Sequence, residues 1–104
     1  MQMPIGQFAG GGDPLACPKC GSEYLHQEDV QIWNRAEDGE KCFYAKIENV
    51  RALIDEQRGN SGNPSPRRQG MCINFLCEGC GIETVHALLV FQHKGMTFIE
   101  WASR

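Results

Sequence analysis

The distribution of apolar and polar residues along the chain predicts a sheet. Residues 24–33 alternate imperfectly between the two classes, with even-numbered positions on one face of a strand and odd-numbered positions on the other. Residues 42–47 are β-prone and follow a turn signal at Asp38-Gly39, so the two segments form a predicted hairpin. The pattern therefore predicts an antiparallel strand pair in the first half of the chain.

Three more strands are predicted in the second half of the chain. They cover residues 71–76, 83–92 and 96–101, and residues 93–95 (His-Lys-Gly) form a predicted tight turn between the last two. The expected fold class is therefore all-β, with an antiparallel sheet of four to five strands.

Residues 50–58 fit two kinds of structure. Val50, Leu53 and Ile54 have helical spacing, and Gly59 is suited to end a helix, so we predict one short helix over this segment. A further strand is the alternative.

Glycine and proline divide the chain into segments. Residues 1–15 contain four glycines and two prolines with few apolar anchors, which predicts a flexible leader. Residues 59–70 combine glycine, proline, asparagine and serine, which predicts a long exposed loop. The remaining length suits a single domain over residues 16–104.

Composition and charge narrow the classes of function. The chain has 104 residues with ten basic and thirteen acidic side chains, and a net charge of −3 gives no overall positive field for nucleic acid or an anionic membrane. No apolar run approaches the roughly 18 residues that span a bilayer, and the first residues lack the regions of a signal peptide. We therefore expect a cytoplasmic protein without membrane contact.

Four of the six cysteines form two copies of one motif, Cys-x-x-Cys-Gly: CPKCG at residues 17–21 and CEGCG at residues 77–81. Two intervening residues let a tight turn aim both thiolates at one cation, and the glycine permits a positive φ beside the metal. A reducing cytosol also favours metal ligation over disulfides. Each motif is therefore a predicted zinc knuckle.

Together the two knuckles offer four thiolates. This number suits tetrahedral Zn²⁺ and leaves no open position for water or substrate, so we predict one structural zinc ion. The predicted ligands are Cys17, Cys20, Cys77 and Cys80. The 56 residues between the knuckles exceed the about 15–20 of the compact pattern, and we assign the excess to a hairpin and a loop. Unrelated reduced cysteines and disulfides are the alternatives.

The paired CPKCG and CEGCG motifs, each beside a predicted strand, resemble the zinc-ribbon superfamily. This resemblance implies a small antiparallel sheet with two knuckles at one end, over roughly residues 15–102. The segments NPSPRR at 63–68 and QHKGMTFIEW at 92–101, with the strand that enters the second knuckle, are similar to small zinc-ribbon proteins of bacteriophages and prophages. That likeness implies that the protein is found in a bacterial or phage-infected host cell. The superfamily is too diverse to imply an activity.

The remaining cysteines and histidines form no recognisable motif. We expect Cys42 and Cys72 to be small buried hydrophobes, and the alternative is a second metal site that would use histidines. The available histidines are His26, His86 and His93. No nucleophile with a partner base is evident, so we expect no catalytic residues and no enzymatic activity.

The clearest hint of a partner is a charge asymmetry. Residues 51–69 are locally +2, whereas residues 17–50 are −3. Arg67 and Arg68 in the predicted loop, with Arg58 upstream, are suited to bind phosphates or an acidic protein surface.

Three functions are compatible with these features. The first is a non-enzymatic, zinc-stabilised module that binds another protein, such as a host protein, through an edge strand or the 59–70 loop. The alternative is a nucleic-acid-binding zinc ribbon that uses the arginines, and the third is thiol–disulfide chemistry at a Cys-x-x-Cys pair. An unpaired edge strand is also suited to homo-oligomer formation.

Overall fold

The computed structural model describes residues 13–102, apart from the side chains at positions 82 and 83. The predicted leader at 1–15 lies outside the described residues except for its last three, which are exposed and irregular. The described residues form six strands and no helix: β1 Leu25–Arg35, β2 Cys42–Glu48, β3 Arg51–Asp55, β4 Gly70–Cys77, β5 Gly81–His93 and β6 Met96–Ala102. The all-β prediction is confirmed, with one strand more than expected.

All neighbouring strands are antiparallel and form one open sheet in the order β3-β2-β1-β4-β5-β6. Most connections join neighbours in the sheet. The exception is the link from β3, at one edge, to β4, near the centre, because it has to pass β2 and β1. We call this link, residues 56–69, the crossing segment. No helix long and apolar enough to cross a bilayer is found in the part of the chain that the structure describes.

The prediction of a helix over residues 50–58 is wrong, because residues 51–55 form β3 and pair with β2. The reason lies in the preceding turn. Asn49 and Val50 both have positive φ, 52° and 62°, which is the backbone of a two-residue hairpin turn of type I′. The chain therefore reverses directly after Glu48, which pairs with Arg51, and the apolar residues that follow join the sheet.

One face of the sheet carries the core. Its buried side chains are Trp33, Cys42, Tyr44, Cys72, Ala87 and Leu89, with Phe91 and Ala102 packed against them. The crossing segment lies over this face: the indole of Trp33 donates a hydrogen bond to the Ser61 carbonyl at 3.0 Å, and the Arg58 guanidinium lies 4.3 Å from the centre of the Tyr44 ring. Within the segment Ser65 is fully buried, and its hydroxyl donates to a β5 carbonyl at 2.7 Å. We call this the covered face.

The opposite face carries two rows of cross-strand partners that are apolar in all six strands. One row is Ile54, Ala45, Ile32, Met71, Val90 and Ile99, and the other is Ala52, Ile47, Val30, Ile73, Leu88 and Trp101. None of the twelve side chains is buried, and Ile99 is 68% exposed. We call these two rows and their surroundings the open face.

Candidate metal centre

The order of the strands brings the two cysteine motifs together. The first knuckle, residues 17–21, precedes β1, and the second, residues 77–81, joins β4 to β5. Since β1 and β4 are antiparallel neighbours, the start of β1 lies beside the end of β4. The amide of Glu78 donates a hydrogen bond to the Tyr24 carbonyl at 3.1 Å and joins the two regions directly.

Four sulfur atoms converge between the knuckles. The Sγ atoms of Cys17, Cys20, Cys77 and Cys80 all lie within 4.8 Å of one another. Cys17 and Cys80 are 3.7 Å apart, and Cys20 and Cys77 are 3.4 Å apart. A tetrahedral ion with metal–sulfur bonds of about 2.3 Å separates its sulfurs by about 3.8 Å. All six cysteines are free thiols, so the cluster has the size and chemistry of a four-coordinate metal site.

Glycines make the close approach of the knuckles possible. Gly21 and Gly81, which follow the second cysteine of each motif, have φ of 80° and 100°, as the motif predicts. Gly79 has a different role, because a Cβ atom there would lie 2.7 Å from the Sγ of Cys20. Only a residue without a side chain fits at position 79 of the second knuckle.

Hydrogen bonds favour ionisation of one thiol. Burial tends to raise the pKa of Cys17, but backbone hydrogen bonds from Cys20 and Lys19 outweigh it and lower that pKa to about 6. The Lys19 amide lies 3.4 Å from the sulfur. The imidazole Nε2 of His86 lies 3.5 Å from the same sulfur and is suited to donate a hydrogen bond to it.

The thiols of Cys80 and Cys20 are held protonated. Burial and hydrogen bonds with the other thiols raise the pKa of Cys80 to about 12. A backbone hydrogen bond from Ser22 acts to lower the pKa of Cys20, but the thiol of Cys77 and burial raise it overall. Four adjacent thiols cannot all ionise without a cation, whereas a coordinated divalent ion deprotonates each of them. The donor set therefore fits a soft divalent cation such as Zn²⁺.

His86 is the functional residue that the sequence reasoning missed. It lies on β5 opposite Phe75, and that pairing brings it over the first knuckle. The motifs gave no sign of this contact, because it depends on the register between β4 and β5. Among the described residues, the four cysteines form the only group of three or more side chains placed to hold a metal.

The other candidate residues lie away from the metal centre. Cys42 and Cys72 are buried on the covered face, and burial raises the pKa of the Cys42 thiol. His26 is exposed and pairs with Glu78, and the ring of His93 lies beside a β6 aromatic ring.

Two of the three candidate arginines are engaged within the chain. Arg67 Nε donates to an Asp38 carboxylate oxygen at 2.9 Å, an interaction that raises the pKa of Arg67 and lowers that of Asp38. Arg58, which lies in the crossing segment, stacks on the ring of Tyr44. The backbone amide of Arg68 donates to Ser65, while the residue itself is exposed.

Comparisons of the chain with protein-family models, with curated proteins and with solved structures found no match. The likeness to zinc ribbons therefore depends on the site itself. A four-cysteine cluster placed for metal binding, at one end of an antiparallel sheet, fits a zinc-ribbon-like centre.

Proposed function

We propose that this chain is a non-enzymatic protein-interaction module whose fold is stabilised by one structural Zn²⁺ at the four cysteines. The observation that carries the proposal is the convergence of four sulfur atoms within 4.8 Å of one another. Four thiolates complete the tetrahedral coordination that zinc prefers and leave no position for water or substrate. When bound, the ion supplies a cross-link between the two knuckles.

The chain's own residues prepare this cross-link. The amide of Lys19 and the imidazole of His86 lie beside the sulfur of Cys17, where each is suited to stabilise a thiolate. Gly79 admits the sulfur of Cys20 against the backbone of the second knuckle. Because the metal joins segments that are distant in sequence, its binding free energy contributes to folding.

A protein partner is supported by the character of the surface. The twelve side chains of the two apolar rows are not buried, and patches of this kind mark interaction sites. Nucleic acid is less well supported, since the net charge is −3 and Arg67 is paired with Asp38. Salt-sensitive nucleic-acid binding that weakens in an Arg67→Ala/Arg68→Ala double variant would contradict this choice. The likeness to phage proteins directs the search for partners to a bacterial host cytoplasm.

The zinc proposal is tested by two matched cysteine variants. Cys77 and Cys72 both lie on β4 and are 1% and 0% exposed, but only Cys77 belongs to the cluster. We expect one zinc per chain in the wild type and in Cys72→Ala, measured by elemental analysis after purification under reducing conditions. Cys77→Ala should lose the metal and unfold at a lower temperature than Cys72→Ala.

Equal zinc content in the two variants would contradict the proposed site. Iron with inorganic sulfide in place of zinc would contradict the assignment of the metal, because four thiolates also suit iron–sulfur clusters.

A further inference from the structure

The open face is an exposed apolar surface that the metal centre does not explain. We infer that it binds a second copy of this chain, so that two six-stranded sheets pack face to face. This inference rests on the proposed function, because it names the protein that the interaction module binds.

The described residues do not bury the two apolar rows of this face. The crossing segment is committed to the opposite side of the sheet through Trp33, Tyr44 and the buried Ser65. Among the described residues, the open face is protected at its knuckle end, where His86 contacts the first knuckle and Phe75 packs against Trp101 with ring centres 5.7 Å apart. The two apolar rows above this end remain accessible to a partner.

The area of the open face is large enough for a dimer interface. Six strands about 4.8 Å apart and three residue rows about 6.8 Å apart span about 600 Å². These three rows are the two apolar rows and the adjoining uncharged row, nearer the knuckle-free end, that contains Asn34, Gln92 and Thr97. Two copies would therefore bury about 1,200 Å², which reaches the lower limit of stable, specific protein interfaces. The two apolar rows alone span about 400 Å², which is within the range of the largest apolar patches on typical monomers.

The absence of charge in the two apolar rows favours a second copy over a different protein. None of the side chains in the two apolar rows is charged, although each row runs through all six strands. Interfaces between identical chains are more apolar than those of transient complexes and place the same patch on both sides. An uncharged patch packs on itself without repulsion and offers no charge for recognising another partner.

Sheet packing gives the expected form of the dimer. Two sheets whose apolar faces meet lie about 10 Å apart, with their strand directions about 30° from each other. Because β1 and β4 are the central strands, Ile32 and Ile73 would lie near the middle of the interface. Ile54 and Ile99, at the two ends of one row, would lie near its margins.

The test uses the full-length, zinc-loaded protein and sedimentation equilibrium. Ile54 and Ile99 are 56% and 68% exposed, so an Ile54→Glu/Ile99→Glu variant changes side chains that are already in water in a single chain. Leu53→Glu is the matched control, because Leu53 is equally exposed on β3 but lies on the other face. Zinc is measured in the same samples.

We expect the mass of two chains for the wild type and for Leu53→Glu. The double variant should sediment as a single chain at the same concentration, with a dissociation constant raised at least about 100-fold, because four like charges around one interface would replace apolar contacts. Unchanged association of the double variant would overturn the inference in favour of pairing through an edge strand.

A single-chain mass for the wild type at about 100 μM, where even weak specific dimers form, would also overturn it. The face would then be left to another protein or to residues 1–12. Zinc in that single chain would leave the proposed function intact, whereas loss of zinc would count against the proposed function instead.

Discussion

The two faces of the sheet differ in an unexpected direction. On the covered face, the cross-strand rows that contain the core also include seven charged side chains: Asp29, Arg35, Lys46, Glu48, Arg51, Asp55 and Glu100. The two rows of the open face contain none. The crossing segment thus lies over the more polar face, and the described residues leave the two apolar rows of the other face unburied.

This difference shows that topology, and not hydrophobicity alone, decides which face the chain covers. The crossing segment has to pass two strands to reach β4, and it passes on the side where Trp33 and Tyr44 lie. Among the described residues, the first knuckle covers one end of the other face, where a metal would hold it in place. The position of the crossing segment therefore depends on packing and hydrogen bonds, whereas the position of the first knuckle depends on thiolate chemistry.

The largest expected effect is the pH dependence of zinc binding, which distinguishes the first knuckle from the crossing segment. The raised pKa values of Cys20 and Cys80 keep both thiols protonated between pH 6 and 8 without metal, so zinc binding there releases at least two protons. Zinc affinity should then fall about 10⁴-fold from pH 8 to pH 6. Competition with a zinc-binding dye at each pH measures this dependence. A zinc affinity that does not change between pH 6 and pH 8 would contradict it.

The crossing segment should respond only to stronger acid. Arg67 lowers the pKa of Asp38 in the folded protein, so this pair contributes stability above the usual aspartate pKa of about 3.9. That contribution is lost as the pH falls through the lower, folded value. Acid should therefore release the knuckles before the segment, which hydrogen exchange of the two regions can follow.

A second prediction compares adjacent residues on β1. Trp33→Ala should lower the free energy of unfolding by about 3–5 kcal/mol, because Trp33 is 1% exposed and packs on the Tyr44 ring. Ile32→Ala, on the open face, should cost less than half as much when both are made in the single-chain Ile54→Glu/Ile99→Glu background. Equal losses in denaturant titrations would contradict the distinction between the faces.

A third prediction isolates the contact between the crossing segment and the core. Gly59 and Gly62 both have positive φ, 66° and 82°, so alanine costs about 1–2 kcal/mol of backbone strain at either position. A Cβ at Gly62 would also lie 3.2 Å from the Trp33 ring, whereas one at Gly59 would meet nothing within 4 Å. Gly62→Ala should therefore cost about 1 kcal/mol more in thermal unfolding. Equal costs would argue against close packing there.

The smallest expected effect concerns the turn between β2 and β3, which belongs to neither face. Val50 is fully exposed and has φ of 62°, a conformation that a β-branched residue adopts at a cost. Val50→Gly should raise the free energy of unfolding by about 1 kcal/mol. Ala52→Gly, inside the adjacent strand, should lower it by about 0.5–1 kcal/mol. A loss of stability in both variants would argue against the turn.

The sequence was most informative where the signal was local. The two knuckle motifs marked the cysteines that the fold brings together, and the Lys94-Gly95 turn lies where the hairpin of β5 and β6 reverses, with φ of 52° and 77°. At β3 the sequence analysis preferred a helix to the alternative strand. Valine seldom adopts positive φ, so the Asn49-Val50 turn carries no recognisable signal.

Non-local features could not be predicted from one sequence. Strict alternation in β1 places Gln27 and Val30 on opposite faces, but a bulge between Gln27 and Asp29 shifts the register, so that both pair with residues of one face of β4. The contact of His86 with Cys17 and the path of the crossing segment also depend on strand order, which no motif encodes.

The most direct test of the account is a native mass spectrum of the untagged protein in reducing buffer, recorded with and without a chelator. The account predicts two chains with two zinc ions, and a shift to highly charged, unfolded single chains when the metal is removed. A folded single chain without metal, unchanged by the chelator, would contradict both the zinc centre and the partner assigned to the open face.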